Sequence, residues 1–277
     1  MSQEIIKAIV VGIIQGLTEF LPISSSAHLR IVPSFFGWDD IGAGYTAVIQ
    51  IGTMLAIIIY FWKDLINMIS GTAKALKEKK LSDNPHAKLF LNVCIGTIPI
   101  LIFGYALKNV IDNQFRYMFL IAIWMIVFSV VMFVAERVSK QVKAVNDLTI
   151  KDSVIIGLFQ AIALLPGTSR SGSTISGGFF LNMKREDAAR YSFLLSIPAI
   201  LISGLYKLYS DRKFLLSDID SISTLVIATI VSGIVGYLSI WFLLNYVKKN
   251  SLNIFIIYRI LFGTAVIILL LTNIIKN

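Results

Sequence analysis

Two stretches of the chain hold side chains that could do acid–base or anion-binding chemistry. The first reads GIIQGLTEFLPISSSAH and places Gln15 and Glu19 four residues apart, so they share one face of a helix. A carboxylate in such an apolar run is costly to bury unless it has a partner or a chemical role. Glu19 is therefore a candidate general base, general acid or metal ligand. Pro22 ends this helix, and three serines and His28 follow where a new helix would begin.

The second stretch, GLFQAIALLPGTSRSGSTISGG, is a partial echo of the first. Aligned on Pro22 and Pro166, both copies have a Gly and a Gln in an apolar run, then the proline and a hydroxyl cluster. In this alignment the Gln is one residue out of register, and Leu164 lies near the position of Glu19. Arg170 occurs only in the second copy. Its guanidinium, flanked by hydroxyls, suits phosphate oxygens, and the alternative is an ion pair with an acid such as Glu19 or a side chain that snorkels to the surface.

The other polar side chains of these stretches have competing interpretations. His28 is a candidate general acid or nucleophile toward phosphorus, or a hydrogen-bonded packing residue. Arg259, inside the last apolar run, is a second anion clamp or an arginine that snorkels to the nearby surface. The serines are candidate anion ligands or helix caps. The candidates for phosphate binding around the two prolines are Ser24, Ser26, Ser169, Ser171 and Thr174.

The composition is that of an integral membrane protein. Of 277 residues, 56% are hydrophobic and 15% charged, with a mean hydropathy of +0.79, whereas soluble domains are about 25% charged. The long apolar runs do not alternate, which favours helices over a barrel. The net charge of +9 does not indicate nucleic-acid binding, because the basic residues lie in short loops that set topology. A single cysteine excludes an intramolecular disulfide and a cysteine-based metal cluster.

We expect an all-α membrane fold with six transmembrane helices and two re-entrant helix hairpins in an inverted repeat. The predicted hairpins cover residues 5–36 and 154–182, because each is an apolar run interrupted by a proline and a hydroxyl cluster. The chain is one membrane domain, 1–277, with repeat halves of about 1–140 and 145–277. The predicted spans are residues 43–62, 87–107, 115–135, 191–209, 225–247 and 254–275.

Loop charge sets the expected orientation of this fold. The loops that begin at Lys63 and Arg137 are the most basic, and the positive-inside rule makes their side cytoplasmic. The first hairpin then enters from outside and the second from the cytoplasm. Broken helices of inverted repeats meet near the midplane, where we expect the site.

Both motifs closely resemble those of the undecaprenyl-diphosphate phosphatase family, the bacitracin-resistance phosphatases of bacterial membranes. This family shows (Glu/Gln)-x-x-x-Glu followed by Leu-Pro-x-Ser-Ser and a His, and then Pro-Gly-x-Ser-Arg-Ser-x-x-Thr. The residues that match the first motif are Gln15, Glu19, Pro22, Ser24, Ser25 and His28. Those that match the second are Pro166, Gly167, Ser169, Arg170, Ser171 and Thr174.

The resemblance implies hydrolysis of a C55 polyprenyl diphosphate to the monophosphate, which recycles the lipid carrier of cell-wall synthesis. It implies a divalent cation, Mg²⁺ or Ca²⁺, and a site that opens outward in the bacterial inner membrane. Glu19 is then the acid–base or metal-associated carboxylate, and Arg170 holds phosphate. Ser25 and His28 are candidates for the nucleophile and its partner, with water as the alternative. Gln15, a glutamate in many members, cannot act as an acid or base and is the weaker metal ligand.

Two other classes of function compete with hydrolysis. A transporter that flips a polyprenyl phosphate would use the same anion-binding residues and an inverted repeat. A structural scaffold would leave Glu19, His28 and Arg170 unexplained. The polyprenyl lipid and the bilayer are the expected partners, no partner protein is implied, and the oligomeric state stays open between a monomer and a homodimer.

Overall fold

The computed structural model describes residues 2–81, 83–114, 117–215 and 219–275, and the regular structure within these ranges is helical. In chain order the helices are α1 (Ser2–Phe20), α2 (Ser25–Phe35), α3 (Gly42–Tyr60), α4 (Trp62–Glu78), α5 (Pro85–Gln114), α6 (Met118–Val138), α7 (Ile150–Ile162), α8 (Arg170–Phe180), α9 (Arg185–Ser210), α10 (Arg212–Leu215), α11 (Ile219–Val247) and α12 (Asn253–Leu271). The all-α class predicted from the sequence is confirmed.

Five of the described helices are long and apolar enough to cross a membrane: α5, α6, α9, α11 and α12. A sixth span results only if α3 and α4 count together, although they are bent by 73° at their junction. The chain is therefore a multi-pass membrane protein. The predicted start of the third span at Phe115 lies outside the described residues, and the last predicted span ends at Leu271 rather than at residue 275.

The segment after Tyr60 differs from the prediction of a polar loop. It forms α4, a helix of 17 residues. Its lysines suggested a solvated loop, but its apolar residues recur at helical spacing, and this periodicity prevails.

Two helix–turn–helix segments, α1–α2 and α7–α8, share a local geometry. Ser24 caps α2 with φ 78°, and Ser169 caps α8 with φ 71°. Each serine hydroxyl accepts a hydrogen bond from the backbone amide three residues later in the chain. The helix that each serine caps has 11 residues. After these helices Gly37 and Asn182 both adopt a left-handed φ, of 67° and 62°.

These equivalent positions are 145 residues apart, which corrects the predicted register. The alignment on Pro22 and Pro166 was wrong by one residue, because the capping serine and not the proline sets where each second helix begins. In the observed register Gln15 is equivalent to Gln160. Leu164 takes the place of Glu19, so the two segments have one backbone design and different chemistry.

Close contacts with a neighbouring long helix fix the positions of α1 and α7, the first helix of each segment. Helix α1 packs along α11, and α7 packs along α5. A Cβ atom at Gly157 of α7 would overlap the carbonyl of Gly96 on α5. Gly12, which is equivalent to Gly157, approaches α11 in the same way, since its Cβ would lie 2.7 Å from the Ala228 carbonyl oxygen. These contacts place the two interrupted segments between the long helices, where their turns meet.

Candidate active site

The centre of the site is the carboxylate of Glu19, which is 4% exposed. Its Oε2 accepts hydrogen bonds from Gln15 Nε2 at 2.9 Å and from Ser25 Oγ at 2.8 Å. Its Oε1 accepts from Arg170 Nη2 at 2.9 Å. Four predicted site residues therefore meet, although the ion pair joins positions 151 residues apart. The Glu19–Arg170 ion pair that was one predicted alternative is present.

The two turns are tied together by serines at equivalent positions. Ser26 Oγ accepts the Gly167 amide at 3.3 Å, and Ser171 Oγ donates to the Leu21 carbonyl at 3.3 Å. Each also lies 3.2 Å from the hydroxyl of its neighbouring cap serine, Ser24 or Ser169. These contacts hold the amino-terminal ends of α2 and α8 beside Glu19, and such helix ends favour negative charge.

Four side chains of the two segments have buried polar atoms without a hydrogen-bond partner among the described residues. The atoms are Arg30 Nε, which lies 3.5 Å from Asp40 Oδ2, Arg170 Nη1, Gln15 Oε1 and both amide atoms of Gln160. Buried polar groups are normally satisfied by protein or ordered water. Arg170 thus keeps one cationic N–H group available for an anion while its other end binds Glu19.

His28 has both ring nitrogens engaged within the protein. Nδ1 lies 2.8 Å from the Ser24 carbonyl oxygen, and Nε2 lies 2.7 Å from the Tyr258 hydroxyl. Because a carbonyl only accepts, Nδ1 carries the proton and Nε2 accepts from Tyr258. The ring also stacks on Phe262 with centroids 4.6 Å apart. In this arrangement His28 supports the turn at Ser24, and it has no free nitrogen to attack phosphorus.

Arg259 is fully buried, and its hydrogen bonds go to the two turns and to α6. Nη1 donates to the Pro22 carbonyl at 3.2 Å, and Nη2 donates to the Gly167 carbonyl at 3.0 Å. These two carbonyls occupy equivalent positions of the two segments. The remaining bonds are to the carbonyls of Thr168 and Met125 and to the hydroxyl of Ser129.

Two predicted phosphate ligands, Arg259 and Thr174, make their hydrogen bonds away from the Glu19 carboxylate. Arg259 neither snorkels nor faces an open site. Its N–H groups donate to backbone carbonyls at the turns, which have no partner within the interrupted helices. Thr174 faces α9, where its hydroxyl lies 2.5 Å from that of Ser192, and it also donates to the Arg170 carbonyl. Both residues brace the site from outside the Glu19 cluster.

Comparison with known proteins agrees with the motifs. The chain matches the family described as bacitracin resistance protein BacA over residues 8–265. It belongs to the BacA family. The undecaprenyl-diphosphatase of Pelodictyon phaeoclathratiforme is 47% identical over 98% of both chains. Those of Chlorobaculum tepidum and Chlorobium limicola are 46% and 44% identical, over 96% of this chain and 97% of each relative.

The BacA match includes the whole Glu19 cluster and two residues that sequence reasoning missed, Tyr258 and Gln160. Tyr258 reaches His28 across 230 positions and carries no local motif. Gln160 lies one residue out of register with Gln15 when the two segments are aligned on their prolines, so their equivalence was not recognised. The signal that would have found it is the spacing between the two capping serines.

Proposed function

We propose that this protein hydrolyses undecaprenyl diphosphate to undecaprenyl phosphate and inorganic phosphate. The observation that carries the proposal is the contact of a serine hydroxyl, a carboxylate and an arginine at Glu19. The relatives, each named undecaprenyl-diphosphatase, support the same activity. Their names give no support to the transporter alternative. The product is the lipid carrier of cell-wall synthesis, which accounts for the link to bacitracin resistance in the family description.

In the proposed reaction Ser25 Oγ attacks the terminal phosphorus and Glu19 accepts the hydroxyl proton. Ser25 already donates a 2.8 Å hydrogen bond to Glu19 Oε2, which aligns the proton with its acceptor. The bond from this phosphorus to the bridging oxygen breaks, and undecaprenyl phosphate leaves. Water then attacks the phosphoserine, which releases inorganic phosphate and restores Ser25. The engagement of both His28 nitrogens favours Ser25 over His28 as the nucleophile.

Arg170 binds the phosphoryl group in this proposal. Its unpartnered Nη1 donates to a phosphate oxygen, while Nη2 either stays on Glu19 or moves to the substrate. The amino-terminal ends of α2 and α8 add partial positive charge on the same side. Together these groups stabilise the charge that develops on the transferred phosphoryl group.

We propose Mg²⁺ or Ca²⁺ as cofactor, held mainly by the substrate diphosphate together with this cluster. Among the described residues no group of three His, Cys, Asp or Glu could hold a metal by itself. Oxygen donors are nevertheless present: the Glu19 carboxylate, the Ser25 hydroxyl and Gln15 Oε1, which is buried without a partner. Mg²⁺ commonly binds one or two carboxylates and completes its shell with phosphates and water. Such an ion neutralises diphosphate charge.

The two interrupted segments act as re-entrant hairpins in our proposed topology, which has inverted halves of about 1–140 and 145–277. Its six spans are the five long helices and α3, which crosses the membrane without α4. The equivalence of positions 145 residues apart supports the repeat, and loop charge supports the inversion. The site then opens to the outside of the inner membrane, where a diphosphate head group enters while its isoprenoid tail remains in lipid.

The test is phosphate release from undecaprenyl diphosphate by the purified protein, with Mg²⁺ or Ca²⁺ and with EDTA. We expect cation-dependent release by the wild type and none by Glu19→Gln, Ser25→Ala or Arg170→Ala. Glu186→Gln, which alters an exposed carboxylate that pairs with Lys248, is the matched control and retains activity. A folded wild type that releases no phosphate with either cation would refute hydrolysis. Phosphoserine trapped on wild type but not on Ser25→Ala would support covalent catalysis.

A further inference from the structure

Helix α4 differs from the spanning helices in length and direction. Its 17 residues reach about 25 Å, which is less than a hydrocarbon core of about 30 Å. It turns away from α3 by 73°. One side packs on α5, and the buried residues of α4 are Met68 and Ala75. Asp64, Leu65, Gly71 and Thr72 are half-buried, and the other described residues of α4 are exposed.

An exposed apolar stripe runs along the whole of α4. The stripe is formed by Trp62, Ile66, Ile69, Ala73 and Leu76, which are spaced four, three, four and three residues apart. At 3.6 residues per turn this spacing gives a stripe about 80° wide beside the packed face. Its four large side chains are between 45% and 64% exposed. Such a stripe on a helix that does not span needs an apolar environment of its own.

A basic face adjoins the stripe on the side away from α5. Lys63, Lys74 and Lys77 are all exposed and lie within about 60° of one another around the helix axis. Both acidic residues of α4 are paired: Asp64 Oδ1 lies 2.7 Å from Arg190 Nη2, and Glu78 Oε1 lies 4.0 Å from Lys74 Nζ. Two further lysines, Lys79 and Lys80, follow the helix. The face is therefore positive.

We propose that α4 is an anionic-lipid-binding helix that lies in the head-group region of one leaflet. The apolar stripe enters the acyl boundary, with Trp62 at the depth that indole rings favour. The three lysines of the basic face bind lipid phosphates beside it. Complementary charge favours an anionic bilayer over an apolar protein partner or a second copy of this chain. The proposal does not depend on the hydrolase activity.

Depth measurements with spin labels test this placement. Labels are attached to Ala73→Cys on the stripe or Ser70→Cys on the polar face, each in a Cys94→Ala background because Cys94 is exposed. The protein is reconstituted in phosphatidylcholine bilayers with and without phosphatidylglycerol. We expect the label at 73 to collide with oxygen and to be shielded from a water-soluble nickel complex, and the label at 70 to show the reverse. Phosphatidylglycerol should increase the inserted fraction at 73.

A charge-matched pair of triple variants tests the role of the lysines. Lys63→Gln, Lys74→Gln and Lys77→Gln together should lower the phosphatidylglycerol-dependent gain in insertion by about fivefold per lysine. The control replaces three exposed lysines outside α4, Lys151, Lys184 and Lys249, by Gln and should keep the gain. Equal nickel access at 73 and 70 would overturn the proposal. So would a label at 73 shielded from both oxygen and nickel, which indicates a protein partner, or a gain that both triple variants retain.

Discussion

Loss of Arg170 should destabilise the protein more than loss of Arg170 and the Glu19 charge together. In Arg170→Met the Glu19 carboxylate, 4% exposed, keeps its bonds to Gln15 and Ser25 but loses its counter-ion. Removing one partner of a buried ion pair costs about 3 to 5 kcal/mol, because an uncompensated charge stays buried. Arg170 is itself 14% exposed, so we expect the lower end, about 3 kcal/mol. This corresponds to a fall of about 6 to 12 °C in Tm for a chain of this size.

The double variant Glu19→Gln/Arg170→Met separates this effect from catalysis. It removes both charges and keeps side chains of similar volume, so it should regain most of the lost Tm. Thermal unfolding of wild type, both single variants and the double variant in one detergent gives the interaction energy directly. Phosphate release should be absent in all three variants. An Arg170→Met variant that unfolds at the wild-type temperature, or a double variant no more stable than it, would refute a buried ion pair at this site.

Three further variants test the supports around the cluster. Tyr258→Phe removes the hydroxyl that donates a hydrogen bond to His28 Nε2. Because one hydrogen bond of about 1 kcal/mol is lost, kcat should fall about fivefold without a change in KM. An unchanged kcat would show that this bond has no role in positioning. Arg259→Lys cannot reach all the carbonyls that the guanidinium bonds, so Tm should fall by several degrees. A rise in KM at unchanged Tm would instead identify Arg259 as a phosphate ligand. Gly157→Ala should destabilise the protein by about 2 kcal/mol or more, because the added Cβ would overlap the Gly96 carbonyl. The control Gly104→Ala, whose added Cβ would have its nearest neighbour 3.8 Å away, should be neutral. Equal stability of the two variants in thermal unfolding would contradict the close helix contact.

The residues of the Glu19 cluster could be singled out in the sequence because their types and spacing are local. Gln15 and Glu19 share a helix face by their separation alone, and Arg170 stands out as a charge between hydroxyls in an apolar run. The all-α membrane class follows in the same way from long runs without alternation. The Glu19–Arg170 contact was anticipated only as one alternative, since nothing local determines which distant charges pair.

The features that sequence reasoning missed depend on the backbone or on distant packing. Carbonyls freed by the turns at Pro22 and Gly167 have no sequence signature, so the partners of Arg259 could not be foreseen. The register of the repeat was misjudged because proline is conspicuous, while the left-handed cap serines that set it look like any other serine. Helix α4 was not predicted because its lysines suggested a solvated loop, although its apolar residues recur at helical spacing in the sequence.

The position of Arg259 along the chain gives the protein an order of assembly. Its bonding partners at Pro22, Met125, Gly167 and Thr168 are all synthesised before it. Until α12 enters the bundle, these carbonyls lack their charged donor, and the two segments are joined by the serine hydroxyls and by the Glu19–Arg170 ion pair. The last described helix therefore completes the site, and a nascent chain arrested before α12 would hold the Glu19 cluster without Arg259, whose guanidinium bonds both turns.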